Sequence, residues 1–279
     1  MSQRRRFAGA LLIIALAACA EREDPPTPVG GSSAAAPGAG QVPAATLHSA
    51  QVDYRAALAA PGRLPTDLEH DAQRKPAEVL EFFGVQPGMS VLDLYSGAGY
   101  FTELLAVVVG PTGRVVAHNN KAYLEGAGEE LARRFADPQR LANVERVAAE
   151  NNALELAPGN FDFVLLSAVY HDVYYANEAN DWPAIDGPKL LAELFAAMKP
   201  GAVLGLIDHA AAPGSPAETG GTLHRIDVGL VKRDFAAAGF VLEAESDVLR
   251  NSADDLGKGV FDPAVRGRTD RFVLRFRRP

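Results

Sequence analysis

The chain has 279 residues, nearly half of them apolar, and a formal charge of −8 at pH 7. Such a composition is that of a soluble globular protein able to bury a large core. The acidity argues against a broad nucleic-acid-binding surface, because phosphate binding needs clustered positive charge. Only a local basic groove stays open, and no nucleic-acid partner is expected.

In chain order, Arg4-Arg5-Arg6 forms a basic start. Residues 7–18 then form an apolar stretch too short to span a bilayer as an ordinary helix. It ends in Leu16-Ala17-Ala18-Cys19, and Cys19 is the only cysteine. This resembles the bacterial lipobox, which implies lipidation of Cys19; the plainer alternative is an ordinary secretory signal with a chance cysteine. If Cys19 is lipidated, no thiol is left for a disulfide or a cysteine metal site. Ala20, where an aspartate would signal inner-membrane retention, favours the outer membrane in a host that has one. Residues 20–50 are rich in Pro, Ala, Gly and Ser and lack large apolar side chains. Such a segment cannot offset the entropy of ordering and reads as a flexible tether. The expected organisation is a signal over 1–19, a tether over 20–50 and one domain over 51–279, placed in the cell envelope through a membrane lipid anchor.

The domain opens with short helices over 53–60 and 76–83, the second with Pro76 in its first turn. Strands and helices then alternate. Strands are predicted over 90–94, 114–118, 144–148, 161–166 and 202–207. Helices are predicted over 101–109, 125–135, 188–198 and 226–238. Two further strands, 241–248 and 271–277, lack a helix between them. This pattern predicts an α/β fold: a Rossmann-like, doubly wound, mostly parallel seven-stranded sheet with an antiparallel edge strand.

Val91-Leu92-Asp93-Leu94-Tyr95-Ser96-Gly97-Ala98-Gly99 closes the first strand and leads into a helix. Small residues there let a ligand approach backbone N–H groups at a helix start, beyond the carboxyl ends of the strands. A tight turn without a ligand is the alternative. A nicotinamide enzyme would more often place a third glycine where Thr102 stands, and an acid after the second strand. The segment is similar to motif I of the class I S-adenosylmethionine-dependent methyltransferases. Phe161-Asp162-Phe163-Val164-Leu165 resembles that family's fourth-strand motif, and Met198-Lys199-Pro200-Gly201-Ala202 its motif before the fifth strand. Asp208-His209, the 223–227 stretch, Ala238-Gly239-Phe240 and the 270–274 stretch look like a branch of exported bacterial methyltransferases.

The resemblance implies S-adenosylmethionine as cofactor, held by Asp93, Tyr95, Gly97 and Gly99. Asn119 or Asn120 would reach the ribose, Glu150 and Asn151 the adenine, and Ser167 lies at the fourth strand's end. Two residues depart from the family pattern. Tyr95 stands where the first glycine is usual, and Asn119-Asn120 stand where an acid commonly holds the ribose. His171 is the candidate base, Tyr170 a candidate acceptor contact, and His209 a further candidate on the active edge; each has a purely structural alternative. Tyr174, Tyr175 and Trp182 are read as a lid or as packed loop aromatics. Asp172, Asp208, His209 and His224 could hold a divalent ion, but their spacing is no recognised motif and capping or ion pairing is the default; no metal is expected. The acceptor is a small molecule or an envelope component. The competing expectation is a tethered, inactive binding protein that reuses the fold.

Overall fold

The computed structural model of the chain describes residues 52–178 and 182–279. The lipidation and tether expectations lie outside those residues. Helices α1 (Tyr54–Leu58), α2 (Pro65–Arg74) and α3 (Pro76–Phe83) precede the sheet. Asp53 caps α1, accepting from the N–H groups of Arg55 and Ala56. Pro65 and Pro76 begin α2 and α3, and Lys75 turns between them at φ 42°. Helix α2 was not legible in the sequence because its apolar content is low.

Strands β1 (Ser90–Leu94), β2 (Arg114–Asn119), β3 (Val144–Ala148), β4 (Phe161–Ser167) and β5 (Met198–His209) alternate with α4 (Tyr100–Val109), α5 (Lys121–Arg134) and α6 (Gly187–Ala197). A 3₁₀ turn at Tyr170–Tyr174 follows β4, and α7 (Thr219–Leu223), α8 (Val228–Ala237), β6 (Val241–Ser246) and β7 (Arg271–Arg277) complete the order. The seven strands lie in the order β3-β2-β1-β4-β5-β7-β6. The first five run parallel, and β7 runs antiparallel between β5 and β6. This is the expected α/β architecture, with the antiparallel strand one place in from the edge. Strand β5 is longer than expected: it starts at Met198 and runs through Lys199-Pro200-Gly201. Arg278 donates its backbone N–H to Ala202 and accepts from Gly201, closing that end of the strand.

The pleat sends alternate side chains to opposite layers. Leu92, Leu94, Val164 and Leu166 pack with Leu194, Phe235 and Phe276. Val91, Phe163 and Leu165 pack with Leu80, Phe83, Leu104 and Val273. Asp93 falls on the second face, toward α4. Between β6 and β7, residues 247–270 form a long irregular segment. Arg225, fully buried, anchors it with bonds of 2.7 and 3.1 Å to Asp254 and one of 2.7 Å to the Lys258 carbonyl.

Candidate functional site

The glycine loop is built from both sides. Tyr95 has φ 54°, which explains the preference for glycine there, and Gly97 and Gly99 have φ 57° and 82°. Asn119, at the end of β2, uses both ends of its amide on Gly97. It accepts the Gly97 N–H at 2.8 Å and donates to the Gly97 carbonyl at 3.0 Å. Beneath the loop, Asp93 accepts the Thr102 hydroxyl at 2.6 Å. Burial raises its carboxyl to about 7, against the lowering effects of the Thr102 bond and the Arg134 charge. Behind it, Arg134 of α5 is fully buried. It donates to the Ala98 carbonyl at 2.6 Å, to Asp67 of α2 at 2.6 and 3.0 Å, and to Glu103 of α4. Arg140 bonds the other oxygen of Glu103.

The remaining expected cofactor residues are also placed here. Asn120 caps α5, accepting from the Tyr123 N–H at 2.9 Å and donating to Asn151 at 3.1 Å. Glu150 is exposed at the rim and accepts the Lys121 N–H. Tyr95 stacks on Tyr123 at 5.7 Å and meets His118 edge-on at 5.2 Å; Tyr123 in turn contacts Trp182 at 5.5 Å. Tyr95 Oη, Ser96 Oγ, His118 Nδ1, Asn151 Nδ2 and Trp182 Nε1 are buried without a hydrogen-bond partner. They sit at the ends of β1, β2 and β3 and in the aromatic wall over them. Such groups cost free energy where they stay unpaired; of the five residues, Trp182 lines the cavity beside His171 and offers its indole N–H to a polar ligand there. Ser96, His118 and Tyr123 stand beside the glycine loop without a signal in the sequence, since that placement depends on side-chain direction.

At the ends of β4 and β5, Asp208 is fully buried and grips His171. It accepts from His171 Nδ1 at 2.7 Å and from the His171 backbone N–H at 2.9 Å. Asp172 accepts the Tyr123 hydroxyl at 2.9 Å. His209 bonds Thr269 at 2.8 Å, and burial holds its imidazole neutral, with the value lowered to about 3. His224, at φ 53° after α7, turns its ring toward His171. Tyr170 is not brought into this group: it packs on Phe235 and donates to Asp234 at 3.0 Å on the other side of the 3₁₀ turn.

Two cavities meet here. One, of about 490 Å³, is lined by Ala98, Tyr123, His171, Asp172, Trp182 and His224. The other, of about 360 Å³, is lined by Ser167, Phe101, Arg74, Arg266, Thr269 and Arg271. Ala168, His209, Val260 and Phe261 line both. Ala168 holds φ 58°, an unusual conformation for a non-glycine residue, at the junction.

A sheet of this order, with a glycine loop after β1 and a cleft over the strand ends, defines the class I methyltransferase fold. A family model described as Protein-L-isoaspartate(D-aspartate) O-methyltransferase matches residues 60–167. The Ubiquinone/menaquinone biosynthesis C-methyltransferase UbiE of Ectopseudomonas mendocina (strain ymp) is 30% identical over 137 residues, 49% of this chain and 48% of that protein. That of Hydrogenovibrio crunogenus is 29% identical over 46% of this chain and 45% of its own length. The chain thus spans about half the length of these curated relatives. Among solved structures, a SAM dependent methyltransferase from Aquifex aeolicus superposes with a TM-score of 0.52 at 23% identity, covering 81% of this chain and 99% of its own. The proteins named here are all methyltransferases, and they imply S-adenosylmethionine as the cofactor.

Proposed function

We propose that the chain transfers a methyl group from S-adenosylmethionine to a small acceptor carrying an anionic group. The observation that carries this is the meeting of the two cavities at Ala168 and His209. Bound in the larger cavity, S-adenosylmethionine supplies an electrophilic methyl group. Ala98 of the glycine loop, Tyr123 and Glu130 line that cavity, and the unpaired Trp182 Nε1 in its wall would donate to a polar part of the cofactor. An acceptor in the second cavity would face the methyl group across the junction, where much of the catalysis is positioning. That cavity is basic in an acidic protein. Among the described residues, Arg74, Arg266 and Arg271 have no carboxylate at ion-pair distance, and Arg271 Nε is buried without a partner. Burial and mutual repulsion lower the Arg271 guanidinium from its usual value, and burial lowers that of Arg74. An acceptor carboxylate or phosphate would relieve this.

Calorimetry of the full chain with S-adenosylmethionine, S-adenosylhomocysteine and NAD tests the reading. The first two are expected to bind and NAD is not. Gly97→Val should weaken S-adenosylmethionine roughly tenfold or more, because a branched residue at positive φ strains the loop where the ligand approaches. Inorganic phosphate should bind the S-adenosylhomocysteine-loaded chain, and Arg271→Gln should abolish that. A parent that binds neither adenosyl compound sinks the assignment; phosphate binding unaffected by Arg271→Gln sinks the acceptor class. Melting curves without ligand separate lost binding from lost fold.

For location, the lipobox-like Leu16–Cys19 stretch supports a lipid anchor at Cys19 on the envelope. Cys19→Ser is expected to release the protein from the membrane fraction with its melting curve unchanged. Membrane association that persists in the variant would count against the anchor.

A further inference from the structure

We propose that His171, Asp172 and His224 form a binding site for one divalent transition-metal cation, of the zinc type, in the wall of the larger cavity. One ligating atom from each of the three lies within 4.8 Å of the others. His171 Nε2 is 3.4 Å from Asp172 Oδ1, and His224 Nδ1 is 3.5 Å from the same oxygen. These separations are too long for good N–H···O hydrogen bonds, which cluster near about 2.9 Å. They suit a shared ion: donors about 2.1 Å from a tetrahedral cation lie roughly 3.4 Å apart.

The groups behind the three side chains strengthen the case. A metal-binding imidazole is normally held through its other nitrogen by a carboxylate or carbonyl. Asp208 does this for His171, bonding Nδ1 at 2.7 Å and leaving Nε2 directed at Asp172. Asp172 is oriented in the same manner: Tyr123 donates to its Oδ2 at 2.9 Å, leaving Oδ1 toward the two imidazoles. The backbone is shaped to bring the three together. The 3₁₀ turn places His171 and Asp172 side by side, and His224 reaches them from the left-handed position after α7. Gly220 makes that approach possible, since a Cβ there would lie 2.4 Å from the His171 carbonyl oxygen.

Two imidazole nitrogens and a carboxylate oxygen suit Zn²⁺, Mn²⁺ or Fe²⁺, and the set contains no thiolate to favour softer ions. The three side chains line the cavity, so a fourth coordination position opens toward the methyl-transfer junction. A cation there would bind an acceptor oxygen or a water and ease loss of its proton. With Nε2 committed to the ion, His171 serves as a ligand rather than as a free base.

The site itself does not depend on methyl transfer, and its test reads metal rather than turnover. Full-length, untagged protein is stripped with a chelator, dialysed against micromolar zinc and assayed by elemental mass spectrometry. The parent should retain close to one zinc per chain. His224→Ala, the least disruptive change because that ring is partly exposed, should retain less than a tenth of that. Asp172→Asn should do the same, and Asp208→Asn should weaken zinc 10- to 100-fold. Circular dichroism and melting curves check that each variant is folded. Cobalt in place of zinc gives an independent readout: a visible absorption band in the parent that is absent in His224→Ala. Absence of zinc binding by the parent, or binding that His224→Ala and Asp172→Asn leave intact, overturns the proposal. S-adenosylmethionine binding measured on the stripped protein separates this failure from failure of the methyltransferase reading.

Discussion

Arg134→Met should lower the melting temperature by on the order of 10 °C, from a loss of about 3–5 kcal/mol. Arg134 is fully buried, as nearly are its carboxylate partners Asp67 and Glu103. A paired buried charge is weak evidence of net stabilisation, but removing one partner strands the others without water or a counter-charge. Arg140 still neutralises part of Glu103, whereas Asp67 keeps no cationic hydrogen-bond partner in this cluster. A double variant with Asp67→Leu as well should therefore recover much of the loss, since a stranded carboxylate is replaced by an apolar group. Thermal unfolding of the single and double variants measures this. A single variant that melts within about 2 °C of the parent would show that water reaches the cluster. The same change frees the Ala98 carbonyl, so adenosyl-ligand affinity should fall even where the fold survives.

S-adenosylmethionine affinity is expected to rise with pH up to about 7 and to level off above. The cause is Asp93, whose carboxyl burial raises to about 7. A cationic ligand at the loop favours the ionised form, so binding expels the proton that the free protein holds. Asp93→Asn should flatten the profile. The same shift bears on stability with a definite sign. The folded value lies above the ordinary 3.8, so the contribution is full below that value and is lost as pH rises through about 7. Above pH 7 Asp93→Asn should thus melt higher than the parent, while binding the cofactor less well. Calorimetry from pH 5 to 8.5 on both proteins decides it; parallel profiles for parent and variant would remove Asp93 from the coupling.

The alternation of apolar strands with helices made the sheet legible, because burial on both faces leaves continuous apolar runs such as Phe163–Leu166. The glycine loop was legible from Asp93, Gly97 and Gly99. What escaped was side-chain direction. Asn119 or Asn120 is the ribose contact expected from the sequence; in the structure the amide of Asn119 bonds Gly97 and that of Asn120 bonds Tyr123 and Asn151. Nothing in the sequence distinguishes an amide facing a ligand from one facing its own loop. Tyr170 and His171 are chain neighbours on opposite sides of a 3₁₀ turn, a division that a segment read as loop could not show. Helix α2 escaped for a different reason. Its interior residue Asp67 is buried by a charge partner from α5, and no apolar periodicity announces that kind of contact.

Helix α2 presents Asp67 to the arginine behind the glycine loop, and its last turn presents Gln73 and Arg74 to the second cavity. One short rod therefore carries a wall of the second cavity while being bolted to the arginine behind the glycine loop. On the methyl-transfer proposal, neither ligand would have to assemble the chamber for the other, and initial-rate kinetics should then show random rather than compulsory cofactor-first binding. Whatever assistance the cofactor lends the acceptor must be returned in equal measure by the acceptor to the cofactor.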